Sequence, residues 1–380
     1  MKLTYVHTAP VPSLAANAVQ VARMCAAFQA AGAAVTLVQP SGAGGTAAEI
    51  AAHYGLDAPF AARLVPMPPL PARELIYGAL AVLLHGPGRA GVVYSRSVSV
   101  GMAAMALRQP FALEMHVPAS AFRPRIAARL GRVVASPLFA GMVVISEKLK
   151  ADYEARYPAL RGRILVAHDG AEPAAEVAPA PLKGDFRVGY VGQLYPGKGM
   201  EIIAALVPLC PFATFHIVGG APEDVVRWRA ALAGHRNVVF HGHMRHADTP
   251  AYLAAMDAVL APYLRVVRGI GGGERQNLAD WMSPLKIFEY MARAKPIVAS
   301  DLEVLREVLT DGENALLCAP EDIGAWASAL ARLHGDEIFR RRIGIRGQND
   351  FLAHYTWDKR ARAILGALDE GLRRGQDHVA

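Results

Sequence analysis

Short apolar runs alternate with stretches of helical periodicity along the first 170 residues of the chain. The segment 14–32 repeats its apolar positions every three to four residues and ends in glycine, which predicts a helix. The apolar runs predict strands at 3–6, 34–39, 91–95, 111–116, 141–146 and 163–168. Because strands that alternate with helices form parallel sheets covered on both faces, this half is predicted to be a doubly wound α/β domain.

The same alternation begins again after a segment rich in proline and alanine. Residues 171–184 have neither a helical nor a strand period, which is typical of a linker. Beyond them, strands are predicted at 186–192, 213–220, 237–242, 258–263, 295–300 and 314–319. A chain of 380 residues is also longer than one hydrophobic core usually supports. We therefore predict a first domain over 1–170, a second over 185–354 and a C-terminal helix within 355–380.

The distribution of charged residues along the chain limits the classes of partner that we expect. Residues 1–180 hold 16 Lys and Arg against 10 Asp and Glu, whereas residues 181–380 hold 24 against 23. A basic first half favours an anionic partner, such as a phosphate ligand, an acidic acceptor or a membrane surface. The basic residues form no dense stripe interleaved with aromatic residues, so nucleic acid is not expected as a partner.

The location follows from what the sequence lacks. No apolar run is long enough to span a bilayer, and the first residues do not resemble a signal peptide. Cys25, Cys210 and Cys318 have neither the spacing of a zinc site nor that of a disulfide framework. We therefore expect a cytoplasmic protein.

Two segments of the second half have the features of anion sites. In "YVGQLYPGKGM" (190–200) a glycine-rich loop places Lys198 at a helix start, which favours phosphate binding, although a plain strand–helix turn with a solvated lysine fits as well. The loop lacks the spacing of a Walker motif. In "SPLKIFEYMARAKPIVASD", Ser283 is predicted to cap a helix with Pro284 in its first position.

The amides of Leu285 and Lys286 would then be free to bind an anion at the helix start. Glu289 lies one turn further on, where it could accept hydrogen bonds from a diol such as ribose; an ordinary Lys–Glu surface pair is the alternative. The preceding loop, 264–282, contains Gly269 and the glycines 271–273. Loops of this length are usually functional or mobile.

These segments, in this order, resemble the group-one (family 4-like) retaining glycosyltransferases, which use nucleotide sugars and have the GT-B fold. The resemblance extends over nearly the whole chain and also includes "FHIVGG", "YLAAMDAVLAPY" and "LEMHVP". It implies two Rossmann-like domains facing across a cleft, the first binding the acceptor and the second the donor. It assigns the donor site to Gly192, Gln193, Lys198, Gly219, Ser283, Pro284, Leu285, Lys286 and Glu289.

The resemblance also implies catalytic roles for His116, Lys198 and Glu289. Lys198 would neutralise the donor diphosphate, Glu289 would hold the ribose, and His116 would reach the donor sugar. A strand-end position alone is more typical of a buried structural histidine, and it is "LEMHVP" around His116 that favours the family role. Acceptor-side candidates are Ser13, Asn17 and Arg96.

Two positions depart from the family pattern. Gln193 stands where the family often has arginine, which removes one charge near the phosphates. The family's paired glutamates are seven residues apart, so with Glu289 as the second, the first falls at Trp281. Asp280 is adjacent, but the donor-sugar contact that the first glutamate makes in the family cannot be assigned to a residue of this chain. Trp281 is therefore left out of the site.

The implied reaction transfers a hexose-type sugar with retention to an acceptor hydroxyl, with a UDP-sugar favoured over GDP-mannose. The expected use is in cell-envelope polysaccharide, glycolipid or natural-product biosynthesis. No cofactor is expected, because no cluster of His or Asp is evident that would hold a divalent metal. The alternatives are a sugar-nucleotide epimerase or hydrolase on the same scaffold, and a non-catalytic nucleotide-sugar-binding protein.

Two predicted helices are expected to contact other surfaces, one a membrane and the other the first domain. In "AFRPRIAARLGR" (121–132), Arg125, Arg129 and Arg132 share one helical face, which favours weak contact with an anionic membrane surface, such as the inner face of the cell membrane, or is simply solvated. The helix within 355–374 is expected to cross back to the first domain, as is typical of this fold; a plain surface helix is the alternative.

Overall fold

The structure, a computed structural model, describes residues 1–13, 16–42, 44–268 and 277–377. It divides into two compact units. The first consists of Met1–Asp169 together with Trp357–Ala380, and the second is Gly170–Thr356. The glycines at 269 and 271–273, which the sequence placed in a functional or mobile loop, lie outside the described residues.

Within its described residues, the first unit has one sheet of seven parallel strands in the order β3-β2-β1-β4-β5-β6-β7. The strands are Lys2–Val6 (β1), Ala34–Pro40 (β2), Ala61–Val65 (β3), Gly91–Ser95 (β4), Phe111–Met115 (β5), Phe139–Val144 (β6) and Ile164–Val166 (β7). The helices are Ala16–Ala30 (α1), Ala47–Tyr54 (α2), Arg73–His85 (α3), Val98–Ala106 (α4), Pro124–Val134 (α5) and Glu147–Arg156 (α6). β4 and β5 are buried along their whole length because helices cover both faces of the sheet.

The second unit repeats this architecture with six parallel strands among its described residues, in the order β10-β9-β8-β11-β12-β13. The strands are Arg187–Val191 (β8), Thr214–Val218 (β9), Val238–Gly242 (β10), Ala258–Ala261 (β11), Ile297–Ser300 (β12) and Leu316–Cys318 (β13). The helices are Met200–Leu209 (α7), Pro222–Ala231 (α8), Thr249–Ala255 (α9), Leu285–Ala292 (α10), Ile323–Gly335 (α11) and Glu337–His354 (α12).

Both sheets therefore follow the doubly wound order, in which the direction of winding reverses next to the first strand of the sheet. The reversal lies between β1 and β4 in the first unit and between β8 and β11 in the second. Ligands of such sheets bind beyond the carboxyl ends of the strands at this point. The predicted fold class is confirmed, and the loops after these four strands are where a site is expected.

The last helix, Trp357–Asp377 (α13), belongs to the first unit, where it packs on β6 and α1. Its buried face includes Ile364 and Leu368, and at Gly371 the helix approaches so closely that a Cβ would overlap the carbonyl oxygen of Ala140. The chain thus reaches the first unit again after completing the second.

Three sequence expectations are corrected. The predicted strand 141–146 is Phe139–Val144, and Ser146 instead caps α6 by accepting a hydrogen bond from the Leu149 amide. The predicted strand 111–116 ends at Met115, which leaves His116 just beyond it. The strand β3 was not predicted, because it is an edge strand in which only Val65 is buried and no apolar run marks it.

The segment between the domains has no regular structure from 172 to 183 and is mostly exposed. It is nevertheless attached to the second unit, where the Ala180 amide donates to the carbonyl of Ala251. Among the described residues, every helix is too short or too polar to cross a membrane.

Candidate functional site

The winding reversal of the second sheet is held by a tyrosine of α10. β8 and β11 pair only at their first residues, from Val188 and Gly189. Where the strands separate, the Tyr290 hydroxyl accepts a hydrogen bond from the Val191 amide at 3.0 Å and lies 3.4 Å from the Leu260 carbonyl oxygen. The start of α10 is thereby fixed beside the loop that follows β8.

That loop depends on glycine at two points of close approach. Gly192 has φ +148°, and a Cβ there would come within 2.7 Å of Nζ of Lys286. Gly199, with φ +99°, caps α7, and a Cβ there would overlap the carbonyl oxygen of Pro262. The backbone at Gly192 consequently borders the Lys286 side chain with no side chain of its own between them.

The side chains of two lysines lie beside this loop, against the faces of tyrosine rings. Nζ of Lys286 lies 3.7 Å from the centroid of the Tyr190 ring, and Nζ of Lys198 lies 5.1 Å from that of Tyr263. Nζ of Lys286 is buried and has no hydrogen-bond partner in the described part of the chain. Neither lysine forms an ion pair with a described carboxylate. The site therefore holds two lysine amines that contact no carboxylate of a described residue.

The electrostatics reflect this arrangement. Burial lowers the pKa of Lys198 to about 8. Burial, and then the charge of Lys198, hold the pKa of Lys286 well below its ordinary value, while Glu289 opposes the shift. An anion placed between the two lysines would relieve both effects, because it favours the protonated amines.

The helix start supplies further donors but differs from the prediction. Pro284, not Ser283, is the N-cap, with φ −78° and ψ 119°, and its own side chain makes no capping hydrogen bond. Since Pro284 itself is extended, α10 begins one residue later, at Leu285. The Ile287 amide donates to the Pro284 carbonyl at 3.0 Å, whereas the amides of Leu285 and Lys286 donate to no backbone carbonyl of a described residue. They lie beside the lysine pair, as an anion site requires.

The remaining donor candidates have distinct surroundings. Glu289 follows Lys286 by one turn, and its Oε1 lies 3.0 Å from Nε2 of His246. Gln193 is exposed, and its carbonyl accepts a hydrogen bond from the Tyr190 hydroxyl at 2.6 Å. At Gly219 a Cβ would overlap the carbonyl oxygen of Gly192, so these two loops are in backbone contact. Trp281 lies at the end of a short 3-10 turn, before α10.

In the first unit, the predicted His116 belongs to a buried polar network centred on Glu114. Oε1 of Glu114 lies 2.7 Å from Nε2 of His116, 2.7 Å from Nε2 of Gln20 and 2.8 Å from Nη2 of Arg360. Its Oε2 accepts a hydrogen bond from the Tyr94 hydroxyl at 2.7 Å. The carboxylate is thus surrounded by donors from β4, α1, α13 and the end of its own strand.

The charges of this network set its protonation. Burial alone would raise the pKa of Glu114, but Arg360 and His116 hold it well below the usual range. Burial, and then Arg96, lower the pKa of His116. Burial raises the pKa of Asp169, whose carboxylate lies 3.9 Å from Nη2 of Arg360. At neutral pH the network therefore holds an ionised Glu114 and a neutral His116.

Glu114, His116 and Asp169 also come close enough to share a metal ion, since one ligand atom of each lies within 4.8 Å of the others. The sequence analysis found no cluster of this kind, because the three residues come from the ends of β5 and β7. Arg360 lies against both carboxylates, 2.8 Å from Glu114 and 3.9 Å from Asp169, so its charge already offsets theirs.

The acceptor-side candidates lie at different points of the first unit. The Ser13 amide and carbonyl both bond to the Tyr54 hydroxyl at 2.9 Å, while Asn17 is exposed on α1. Arg96 follows β4 directly, and its Nη1 lies 3.5 Å from Oε1 of Gln20, which connects it to the Glu114 network. Of the three, Arg96 is the one that adjoins His116 electrostatically.

Sequence reasoning missed Glu114, Gln20, Tyr94 and Arg360. One signal was available, because Glu114 is the single charge in the predicted strand 111–116, and a buried charge requires a partner. The partner itself could not be found from local spacing, since Arg360 is 246 residues away.

The predicted basic helix is present as α5. Leu130, Val133 and Val134 pack into the unit, while Arg125 and Arg132 are exposed and Arg129 is half-buried. These three arginines make no hydrogen bond or ion pair with any other described residue. α5 therefore presents a basic face that no charged side chain of the described residues pairs with.

Comparison with known proteins agrees with this geometry. Residues 185–336 match the family model described as "Glycosyl transferases group 1". The phosphatidyl-myo-inositol mannosyltransferase of Mycolicibacterium smegmatis is 30% identical over 202 residues, which cover 50% of this chain and 48% of that protein. The chain spans about half the length of the curated relatives it matches.

Solved structures match over a greater length. Sucrose-phosphate synthase from Thermosynechococcus elongatus has a TM-score of 0.70 at 17% identity, with 100% of both chains covered. Anabaena HepE, solved in complex with UDP, has a TM-score of 0.72 at 16% identity, with 97% of this chain and 100% of that chain covered. These likenesses show the two-domain α/β fold that the sequence analysis predicted as GT-B. Residues 185–336 thus match the group 1 glycosyltransferases, and the fold is the one that the resemblance implied.

Proposed function

We propose that this protein is a glycosyltransferase that moves a hexose-type sugar from a nucleoside-diphosphate sugar to an acceptor hydroxyl. The observation that carries the proposal is the lysine pair: Lys198 and Lys286 both lie over the Tyr263 ring, Lys286 borders Gly192, and neither contacts a carboxylate of the described residues. The amides of Leu285 and Lys286 adjoin them. A diphosphate has the charge and the acceptor oxygens that this site lacks.

The same residues account for catalysis. When the bond between the sugar and the diphosphate breaks, negative charge grows on the leaving phosphate. Lys198, Lys286 and the amides at the start of α10 are already oriented there, so they stabilise that charge without reorganising. One preorganised donor of this kind is typically worth about 3–4 kcal/mol of the barrier. Glu289 holds the ribose, and His116 contacts a hydroxyl of the sugar.

Three finer features belong to the proposal. A UDP-sugar is favoured, and the UDP complex of the structurally similar HepE supports this choice. The reaction retains the anomeric configuration, which proton NMR of the product would establish. It requires no metal, because cationic side chains stand at the diphosphate; undiminished turnover in excess EDTA is the expected result, and restoration by Mg²⁺ would contradict it.

The acceptor is proposed to be anionic or lipid-linked. The M. smegmatis relative is, by its name, a mannosyltransferase acting on phosphatidyl-myo-inositol. In this chain the basic face of α5, with Arg125, Arg129 and Arg132, would favour an acidic acceptor or the inner surface of the cell membrane. Binding to phosphatidylcholine vesicles only when they contain phosphatidylglycerol, and its loss in Arg125→Glu/Arg132→Glu, would support this. Equal binding of both vesicles would refute it.

Thermal unfolding with UDP, GDP, ADP and their sugars tests the central claim. One nucleotide should raise the melting temperature by several degrees, since a ligand at 100 times its Kd adds about 2.7 kcal/mol of stability. Lys198→Met and Lys286→Met should abolish the increase. Lys183→Met, which changes an exposed lysine of the same unit, is the matched control.

Turnover separates the alternatives. Sugar transfer that depends on an added acceptor supports the glycosyltransferase. Consumption of the donor with no acceptor present would indicate the epimerase or hydrolase. A nucleotide-dependent increase in melting temperature without any turnover would indicate the binding protein.

A further inference from the structure

The Glu114 network contains an ion pair that joins distant parts of the chain. Nη2 of Arg360 on α13 lies 2.8 Å from Oε1 of Glu114 on β5, and the two side chains are only 2% and 0% exposed. Nε of Arg360 also donates to the carbonyl of His168 at 2.9 Å. The guanidinium is therefore held from two sides and oriented at the carboxylate.

Stability alone does not explain this pair. A buried ion pair usually gives no more stability than apolar residues of similar volume, because both charges lose their hydration. Yet Glu114 stands in an otherwise apolar strand, and four donors converge on its two oxygens: Gln20, Tyr94, His116 and Arg360. Such an arrangement preserves a carboxylate in a place where a neutral acid would otherwise form.

The ionised carboxylate determines the tautomer of His116. A carboxylate can only accept hydrogen bonds, so Nε2 of His116, 2.7 Å away, must carry the proton. In the neutral ring, Nδ1 is then an acceptor. A histidine held in this way can receive a hydrogen bond from a substrate hydroxyl at one defined atom.

We infer that Arg360 is a positioning residue, which fixes the orientation and tautomer of His116 by holding Glu114 as a carboxylate. The helix that follows the second unit therefore completes the site of the first. The contact between His116 and a substrate hydroxyl rests on the proposed function; the control of His116 by Arg360 does not.

In the part of the chain that the structure describes, four charged groups face His116, each from a different element. Arg96 follows β4, Glu114 lies on β5, Asp169 follows β7 and Arg360 lies on α13. Removing the Arg360 charge leaves Glu114 with one cation fewer. The carboxylate will then draw a proton onto His116, since an adjacent uncompensated negative charge favours the imidazolium.

Nitrogen NMR of protein labelled with ¹⁵N-histidine tests the inference without any need for turnover. The His116 signals are assigned by their loss in His116→Gln. The native protein should show the Nε2–H tautomer of His116 at neutral pH. In Arg360→Met the midpoint of its titration should rise by about one pH unit or more. Arg362→Met is the matched control, because Arg362 lies on the same helix in an exposed pair with Asp358.

A second variant keeps the test decisive if Arg360→Met does not fold. Arg360→Met/Glu114→Gln removes both buried charges, and His116 should then show a measurable share of the Nδ1–H tautomer. An unchanged tautomer in this variant, or a titration in Arg360→Met equal to that in Arg362→Met, would overturn the inference. If His116 responds as expected but no sugar is transferred, the proposed function fails and the positioning role stands.

Discussion

The ammonium nitrogen of Lys286 lies 3.7 Å from the centroid of the Tyr190 ring, and the hydroxyl of the same tyrosine donates to the carbonyl of Gln193. The aromatic face stabilises the cation in the absence of an anion, typically by about 1–2 kcal/mol when desolvated. The backbone hydrogen bond keeps the ring at the end of β8. Lys286 is thus held ready beside Gly192 rather than solvated away from it.

Gly192→Ala should weaken UDP binding at least tenfold. The new methyl group would come within 2.7 Å of Nζ of Lys286, and φ +148° is a conformation that alanine adopts only with strain. Isothermal titration calorimetry measures the effect. Gly234→Ala is the control, since nothing lies within 4 Å of its added Cβ. Equal affinity in the two variants would show that Lys286 does not bind the nucleotide at this loop.

UDP affinity should fall as the pH rises through about 8, because burial lowers the pKa of Lys198 to that value and only the protonated amine attracts the diphosphate. The loss approaches tenfold per pH unit above the midpoint. The stability of the ligand-free protein should change in the opposite direction. The unfolded chain binds the Lys198 proton more tightly than the folded chain, so the free energy of unfolding should rise as the pH rises above about 8.

Lys198→Arg provides the control for this pH dependence. Arginine keeps its charge throughout the range, so the part of the decline that Lys198 causes near pH 8 should be absent in this variant. The same decline in the variant and the native protein would assign the pH dependence to another group.

Glu289→Gln should distinguish ribose recognition from a surface ion pair. If Glu289 accepts hydrogen bonds from the ribose, the variant loses about tenfold or more in affinity for UDP, but much less for 2′,3′-dideoxy-UDP. Glu321→Gln, which alters an exposed carboxylate paired with Arg265, should change neither affinity. Equal losses for both nucleotides in Glu289→Gln would mean that the carboxylate acts on something other than the ribose.

Tyr290→Phe should lower the free energy of unfolding by about 1–3 kcal/mol, because it removes the acceptor of the buried Val191 amide. Urea denaturation measures the loss. Tyr195→Phe serves for comparison, as the Tyr195 hydroxyl bonds to no other described residue. Similar values for the two variants would indicate that the gap between β8 and β11 does not need the hydroxyl.

The fold was predictable where burial follows sequence locally. β4 and β5 are buried throughout, so their apolar runs were sufficient to locate them. β3 was not predictable in this way, because an edge strand with one buried residue has no such run. The doubly wound order could be expected from alternation, since parallel strands require helical crossovers.

The lysine site of the second unit could be predicted from local sequence, whereas the Glu114 network of the first unit could not. Gly192, Lys198 and Lys286 lie in contiguous motifs whose backbone conformation the sequence itself suggests, and the structure brings them together. The Ser283 cap was wrong by one residue, because the extended Pro284 takes the cap position. The network around Glu114 depends on partners from α1, β4 and α13, and contacts at such separations leave no local pattern.

The arrangement of the units also has a consequence for biosynthesis. A ribosome produces Met1–Asp169 first, but Arg360 emerges only after the whole second unit. Until then Glu114 lacks the arginine that contacts it directly, and the surface of β6 that receives α13 is uncovered. The chain of the second unit is continuous from Gly170 to Thr356, so this unit is synthesised completely before the last helix of the first unit. Native packing of the first unit therefore reports that synthesis has passed the second.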